Sequence, residues 1–276
     1  MASQPPLHVV ARGPVRHLVL ARPHVHNALN PELIAALHGA VTEAATDHAT
    51  RAVIISGSGP SFCAGADVEW LRRVEGQSQE QLLAEGRQLH DLLAAIATCP
   101  KPVVVRVHGV ALGGGMGLVA AADVTVAGRH ATFGFTEARI GVVPAVIAPF
   151  VLRKTSLGQA QALFLAARRF DAVRAADLGL VQEVVDDGAL DEAVERWLQD
   201  LLAGGPTAQA TIKSLLRRLA PVDFEAAATA TVPTLAAVRA SAEAQAGLDA
   251  FLAKRPPPWT AVVGEGSSSG DGPPDA

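Results

Sequence analysis

The sequence predicts an α/β protein in which helices cover a mostly parallel sheet. Short apolar runs alternate with helical segments through the first half of the chain, and several of these runs are apolar on both faces. Strands that are apolar on both faces are typical of a parallel sheet covered on both sides. With 276 residues, of which 49% are hydrophobic and 18% charged, the chain can bury a large core.

The first elements are a hairpin and a helix. Runs at 7–11 and 15–21 flank Gly13-Pro14, which predicts two paired strands. The strand cannot continue through Pro23. Asn30 then supplies an N-cap and Pro31 the first helical position of a helix that we expect to end near residue 48.

The middle of the chain repeats the alternation of strand and helix. A helix over 79–98 is predicted from leucines and an isoleucine that share one broad face, and Pro100 ends it. The leucine and isoleucine positions are Leu82, Leu83, Leu89, Leu92, Leu93 and Ile96. Further predicted elements are strands at 52–56, 102–107 and 123–127, a loop at 108–112, and a small-residue helix that ends near residue 122.

From Pro144 onward we expect helices alone. Apolar periodicity covers 189–203, 207–219 and 223–252. We divide the chain into a core over 1–200, a helical lid or oligomerisation region over 201–255, and a disordered tail over 256–276 that is rich in proline, glycine and serine.

Composition excludes several function classes. The net charge is −4 with no basic run, which argues against nucleic-acid binding. Two cysteines are too few for a disulfide framework, and no spacing typical of metal ligands occurs. The N-terminal apolar stretch is interrupted by arginines and no later apolar run is long enough for a membrane span, so we expect a soluble cytoplasmic protein without a bound metal.

Two glycine-rich loops carry the first chemical signal. Residues 61–67 and 111–117 each lie between a strand and a helix. Small residues let backbone amides approach a ligand, and the first turn of a helix has free N–H donors. Two such donors at one carbonyl oxygen would stabilise an oxyanion, by about 3–4 kcal/mol per donor. The alternative is that the glycines only permit close packing.

These residues give the sequence a resemblance to the crotonase superfamily, the enoyl-CoA hydratase/isomerase family, over nearly all of 7–255. Six motifs occur in the family's order and at its usual intervals. They are Arg22-Pro23 with Asn27-Ala28-Leu29, FCAGADV at 62–68, HGVALGGG at 108–115, Ala122-Asp123, Phe133 to Glu137, and Ile140 to Pro144.

The resemblance implies a fold, an assembly and a substrate class. The fold is a crotonase-like spiral of ββα units with a helical C-terminal subdomain. The assembly is a homotrimer or a dimer of trimers. The substrate is an acyl-CoA thioester, so coenzyme A enters as part of the substrate and no resident cofactor is expected.

The same resemblance implies roles for individual residues. Ala66 and Gly114 match the two amides that bind the thioester carbonyl in this family. Five further positions match residues that line the CoA moiety. They are Val25, His26, Ala64, Asp67 and Val68.

One of the family's two acid–base positions is occupied. Hydratases of this family use two glutamates; Glu137 matches the second, whereas the first falls on Gly117. A lone carboxyl near Phe133, Phe135 and Ile140 should have a raised pKa. Alternatively, Glu137 is a helix-capping or surface carboxylate.

The residues leave the reaction open between three possibilities. The sequence of 135–149 is most similar to bacterial methylglutaconyl-CoA or isohexenylglutaconyl-CoA hydratase-type members, in which glycine also replaces the first glutamate. Hydration of a branched glutaconyl-type enoyl-CoA is therefore the first hypothesis. A Δ3,Δ2-enoyl-CoA isomerase, which needs one base, is the first alternative. A CoA-binding relative without catalysis is the second.

Two unrelated sites also fit short patterns. Residues 115–120 match GxGxxA, a dinucleotide-binding pattern, although the loop from His108 onward is too long between strand and motif. Cys63 with His108 could form a thiol nucleophile, although a free cysteine is more often a small buried side chain.

Overall fold

The computed structural model describes residues 5–74, 76–219 and 223–261 and contains two sheets. The strands are β1 Leu7–Arg12, β2 Val15–Leu20, β3 Ala52–Gly57, β4 Val103–Val107, β5 Val110–Leu112, β6 Val124–Gly128, β7 Thr132–Gly134, β8 Arg169–Asp171 and β9 Glu183–Val185. The larger sheet has six strands in the order β1-β2-β3-β4-β6-β9, and the smaller has the order β5-β7-β8.

The α/β crotonase fold predicted from the sequence is confirmed. Strands β1 and β2 form the antiparallel hairpin, and every other pairing in the larger sheet is parallel. Apolar side chains on both faces of β3 and β4 are buried because helices pack on both sides. The face that carries Val53 and Ile55 joins the main core, and the face that carries Ile54 packs toward a later helix.

Eleven α-helices are present among the described residues. They are α1 Pro31–Thr46, α2 Val68–Leu71, α3 Gln79–Thr98, α4 Gly114–Ala121, α5 Ala148–Val151, α6 Leu157–Ala166, α7 Ala172–Asp177, α8 Leu190–Ala203, α9 Pro206–Leu219, α10 Phe224–Arg239 and α11 Ala242–Leu252. Asn30 caps α1 through the amide of Leu33, as predicted. None of these helices has the length and apolar character needed to cross a bilayer.

Helix α3 has the predicted bounds but a narrower buried face. Leu92, Leu93 and Ile96 are fully buried, whereas Leu82 is 40% and Leu83 67% exposed. The first turns of α3 therefore extend past the core, and the prediction of one apolar face along the whole helix is wrong at its N-terminal end.

The expectation of helices alone after residue 144 is also wrong. Two three-residue strands follow, β8 against β7 and β9 against β6. A third short strand, β5, occupies residues that we expected to form a loop. Strand β5 pairs with β7 and leads directly into α4, so the smaller sheet fixes the start of that helix.

The C-terminal part is helical, as predicted, but the segment 223–252 is two helices. The first ends at Arg239 with Ala240 as its C-cap, and Ser241 caps the second by accepting a hydrogen bond from Ala244 N–H. The expected boundary at residue 200 falls within α8. The expected tail begins with residues that are hydrogen-bonded, since Trp259 Nε1 donates to Ala203 O at 2.9 Å. Residues 262–276 lie outside the described residues.

Candidate active site

The first glycine-rich loop is joined to a neighbouring segment on each side by an isolated parallel bridge. Ala66 forms a parallel bridge with Leu29, and Cys63 forms one with Ala111 in β5. Leu29 N–H donates to Gly65 O at 2.7 Å. The loop is therefore paired on both sides, which fixes the direction of its remaining amides.

Two backbone amides next to these pairings have no protein acceptor. In a parallel bridge Leu29 bonds to the residues on either side of Ala66, so the N–H of Ala66 points away from Leu29. Gly114 is the first residue of α4, and its N–H has no intrahelical acceptor. Within the described ranges neither amide donates a hydrogen bond, so both are available to a ligand.

The two loops touch because glycines face each other. A Cβ on Gly65 would lie 3.6 Å from Gly113 Cα and 3.0 Å from Leu112 O. Gly113 has φ +48° and ψ −116°, a conformation essentially reserved for glycine. The glycines therefore allow the two loops to pack closely, and this packing brings the free amides of Ala66 and Gly114 to the same region.

Glu137 faces the second loop. It begins a 3-10 turn, Glu137–Ile140, which follows β7 after two residues. Its Oε1 atom lies 3.3 Å from the position that a Cβ on Gly113 would occupy. Its Oε2 atom is buried with no hydrogen-bond partner among the described residues, and burial raises the pKa of the carboxyl above its ordinary value. The carboxyl is thus neither a helix cap nor a solvated surface group.

These groups share one cavity of about 590 Å³. Of the predicted site residues, Ala64, Ala66, Val68, Gly114 and Glu137 line it. Its walls are largely apolar and include Leu29, Ile34, Leu71, Leu89, Leu112 and Ile147. The arrangement can bind a carbonyl oxygen with two amides while a carboxyl whose pKa is raised by burial faces the neighbouring atoms.

The comparison with a family model decides the classification. The model for enoyl-CoA hydratase/isomerase matches residues 12–262. The chain belongs to this family. A Thermus thermophilus relative is 33% identical over 248 residues, which cover 90% of this chain and 98% of that protein.

Two further relatives show the breadth of the enoyl-CoA hydratase/isomerase family. The crystal structure of an enoyl-CoA hydratase from Shewanella pealeana has a TM-score of 0.88 and 33% identity, and the match covers 92% of this chain and 96% of that one. An Arabidopsis thaliana relative, 29% identical over 88% of this chain and 91% of its own length, is named peroxisomal Δ(3,5)-Δ(2,4)-dienoyl-CoA isomerase.

Neighbouring side chains close the space around Gly117, the position that the resemblance matches with the family's first glutamate. A Cβ on Gly117 would lie 2.7 Å from Ile147 Cγ2 and 3.1 Å from Leu93 Cδ1. Apolar side chains therefore fill the space that a second carboxylate would need. Glu137 is the one carboxylate that lines the cavity among the described residues.

Three residues predicted to line the CoA moiety do not line the cavity. Asp67 caps α2 and forms an ion pair with Arg22 at 2.9 Å. Burial alone would raise its pKa, but the hydrogen bonds from Arg22 and from the first amides of α2 hold the pKa of Asp67 below its ordinary value. Val25 precedes the left-handed residue His26, whose Nδ1 contacts Ser61 Oγ at 2.9 Å. Asp67 and His26 thus brace the first loop from outside.

Sequence reasoning missed one wall of the cavity. Trp70, Arg139 and Arg169 line it, together with the apolar run 142–147. The buried Nε1 of Trp70 has no partner in the described part of the chain. The apolar run just after Gly141 is the signal that the sequence offers for this wall. In the structure Val143 is 71% exposed, and a solvent-facing valine run is unusual unless a ligand or subunit covers it.

The two unrelated sites are not supported. Burial raises the pKa of the Cys63 thiol to about 12, so a nucleophilic thiolate does not form there. Gly115 and Gly117 lie inside the fully buried helix α4, where they pack against other side chains and do not face a phosphate. No group of three or more histidine, cysteine or acidic side chains that could hold a metal occurs among residues 5–74, 76–219 and 223–261.

Proposed function

We propose that this protein is an enoyl-CoA hydratase that adds water to an α,β-unsaturated acyl-CoA with one carboxylate. The observation that carries the proposal is the half-buried carboxyl of Glu137, whose Oε2 atom is buried without a partner, against the loop that presents the Gly114 amide. A half-buried carboxyl that shares a cavity with two free amides matches the needs of proton transfer beside a thioester carbonyl.

The proposed oxyanion site consists of the amides of Ala66 and Gly114. When the oxygen of water bonds to Cβ, the π electrons of the double bond move through Cα to the thioester oxygen. Two amides aimed at that oxygen stabilise the enolate, by about 3–4 kcal/mol each. The pairing of the first loop on both sides supports this role because it holds the donors in place before the substrate arrives.

Glu137 acts as both base and acid in this proposal. The ionised carboxylate accepts a proton from water as the new C–O bond forms, and it then gives that proton to Cα as the enolate collapses. One carboxyl suffices because Cα and Cβ are adjacent. The raised pKa supports the cycle, since a carboxylate that binds its proton more firmly is a stronger base.

A branched, glutaconyl-type acyl group is the proposed substrate. Support comes from the amino-acid sequence of 135–149, which resembles that of glutaconyl-type hydratases, and from a cavity whose walls are mainly apolar. The CoA moiety would lie along the outer side of the first loop, near Val25, His26, Ala64, Asp67 and Val68. This placement is supported by the hydrogen bond from Ala64 N–H to His26 O, which holds these two residues side by side.

Isomerisation is the second candidate, because the closed space at Gly117 leaves one carboxylate, and one carboxylate can move a proton between two carbons. The test is to incubate the protein separately with a 2-enoyl-CoA and a 3-enoyl-CoA and weigh the products. Hydration adds the mass of one water, and isomerisation leaves the mass unchanged. A 3-enoyl-CoA converted without any mass gain on the 2-enoyl-CoA would refute the hydratase proposal.

A CoA-binding protein without catalysis fits the geometry less well. A carboxyl with an unpartnered buried oxygen lowers the stability of the fold, and a scaffold has no need for it. Absence of turnover across a panel of acyl-CoA thioesters, with measurable binding, would favour this reading.

We also propose the homotrimer or dimer of trimers that the family resemblance implies. The C-terminal helices support it, because Phe224 is fully exposed and Phe251 is 80% exposed. Light scattering after gel filtration measures the assembly directly.

A further inference from the structure

Arg139 and Arg169 differ from most of the cavity wall because they are positively charged. With Glu137 they are the three charged side chains that line it among the described residues. Both are exposed, and they come from neighbouring elements: Arg139 from the 3-10 turn after β7, and Arg169 from β8, where it is paired with Gly134.

The two guanidinium groups have no acidic partner. The ion pairs formed within the described part of the chain involve neither Arg139 nor Arg169, so Glu137 does not neutralise them. Arg139 is held in place, because its Nε donates to Ala167 O at 2.8 Å, and its terminal nitrogens make no other hydrogen bond to the described residues. A positioned, unneutralised guanidinium is suited to bind a carboxylate with two parallel hydrogen bonds.

We propose that Arg139 and Arg169 form a subsite for a carboxylate at the far end of the acyl chain, so that the preferred substrates are dicarboxylic acyl-CoA thioesters. This inference rests on the proposed function, because it takes the thioester carbonyl to lie at the Ala66 and Gly114 amides. It assigns two residues to the recognition of the distal carboxylate that a glutaconyl-type acyl group carries.

Distance along the chain favours the acyl carboxylate over the phosphates of CoA. A 3-10 turn rises about 2.0 Å per residue, so Arg139 begins about 4 Å from Glu137 along the turn. A carboxylate one or two bonds beyond Cβ lies within the reach of such a side chain. The phosphates, in contrast, are separated from the thioester by the whole pantetheine arm.

Binding of saturated thioesters tests this subsite without requiring any reaction. Glutaryl-CoA and butyryl-CoA differ in the distal carboxylate, and neither can be hydrated. We expect calorimetry to show at least about tenfold tighter binding of glutaryl-CoA by the wild type, and loss of that preference in an R139M/R169M double variant. Arg168→Met is the matched control, since Arg168 is exposed and does not line the cavity; it should keep the preference.

The possible outcomes separate the two anion sources and the two proposals. Equal wild-type affinity for the two thioesters would overturn the subsite. Equal weakening of both thioesters in the double variant would also overturn it and assign the arginines to the CoA phosphates. Glutaryl-pantetheine and butyryl-pantetheine, which lack the nucleotide phosphates, should show the same carboxylate preference. A wild type that hydrates no enoyl-CoA but keeps the preference would refute the proposed reaction and leave the subsite standing.

Discussion

Replacing Glu137 by glutamine is the most direct test of the one-carboxylate site. Glutamine keeps the shape of the side chain but cannot take up and return a proton. Loss of a positioned acid–base group lowers rates by about 10²- to 10⁴-fold, which corresponds to about 3–5 kcal/mol in the barrier. We expect the upper end of this range, because Ile147 and Leu93 fill the space at Gly117 and no second carboxylate lines the described cavity.

The Glu137→Gln variant should become more stable relative to the wild type as the pH rises. Burial raises the pKa of Glu137 in the fold above the ordinary 4.5 that applies to the unfolded chain. The unfolded chain therefore releases this proton first, and the wild type loses stability as the pH rises from about 4.5 through the folded pKa. Glutamine has no proton to release. Urea unfolding of both proteins at pH 4 and pH 7 should show a difference in unfolding free energy that moves in favour of the variant at pH 7.

The activity assay follows hydration of 3-methylglutaconyl-CoA, with E69Q as the matched control. The Glu69 side chain is 89% exposed in α2 beside the site, so its loss should leave turnover within about twofold. An E137Q variant that keeps more than a tenth of wild-type kcat would refute the one-carboxylate reasoning. A variant that loses both activity and its folded spectrum would assign Glu137 a structural role instead.

Three further substitutions test the supporting geometry. Gly113→Ala should lower the unfolding free energy by about 1–3 kcal/mol in urea titrations, because its φ of +48° with ψ −116° disfavours any side chain, and kcat should fall with it. Gly117→Glu should lower Tm without raising the hydration rate, because its Cβ would lie 2.7 Å from Ile147 Cγ2. Adding Ile147→Ala should restore part of the Tm. A double variant with no recovery of Tm would contradict the expected clash with Ile147. Asp67→Ala should destabilise the fold by about 2–4 kcal/mol in chemical denaturation, since it removes the cap of α2 and leaves the half-buried Arg22 unpaired; a loss below about 1 kcal/mol would show that the pair is replaceable.

The long elements of this fold could be predicted from the sequence, and the short ones could not. Helix α3 has the predicted bounds because Ser78 caps it and Pro100 follows it closely, so both ends carry local signals. Strands β5, β8 and β9 have three residues each, which is too few for a period to show. They exist because distant partners complete their hydrogen bonds, and a local pattern contains no information about those partners.

Some residues of the candidate site could be predicted from local motifs, whereas others depend on contacts between distant segments. Ala66, Gly114 and Glu137 were predicted from motifs, and the structure brings them to one cavity. Arg139 and Arg169 were missed as cavity residues because their position depends on the pairing of β8 with β7, which the sequence did not reveal. The carboxylate of Asp67 was predicted beside CoA, yet its oxygens are occupied by Arg22 and by the start of α2, a contact across 45 residues that no spacing rule predicts.

The bridges on both sides of the segment from Cys63 to Ala66 reduce the entropy that is lost when substrate binds. Amide hydrogens at Cys63 and Leu29 are locked into interstrand bonds and should exchange with solvent slowly, whereas the amide of Ala66 beside them has no acceptor. The free N–H of Ala66 therefore lies in a segment that is already ordered before substrate binds. Little chain entropy is lost when an acyl group arrives, so binding free energy is available for the reacting bond instead of for ordering the loop.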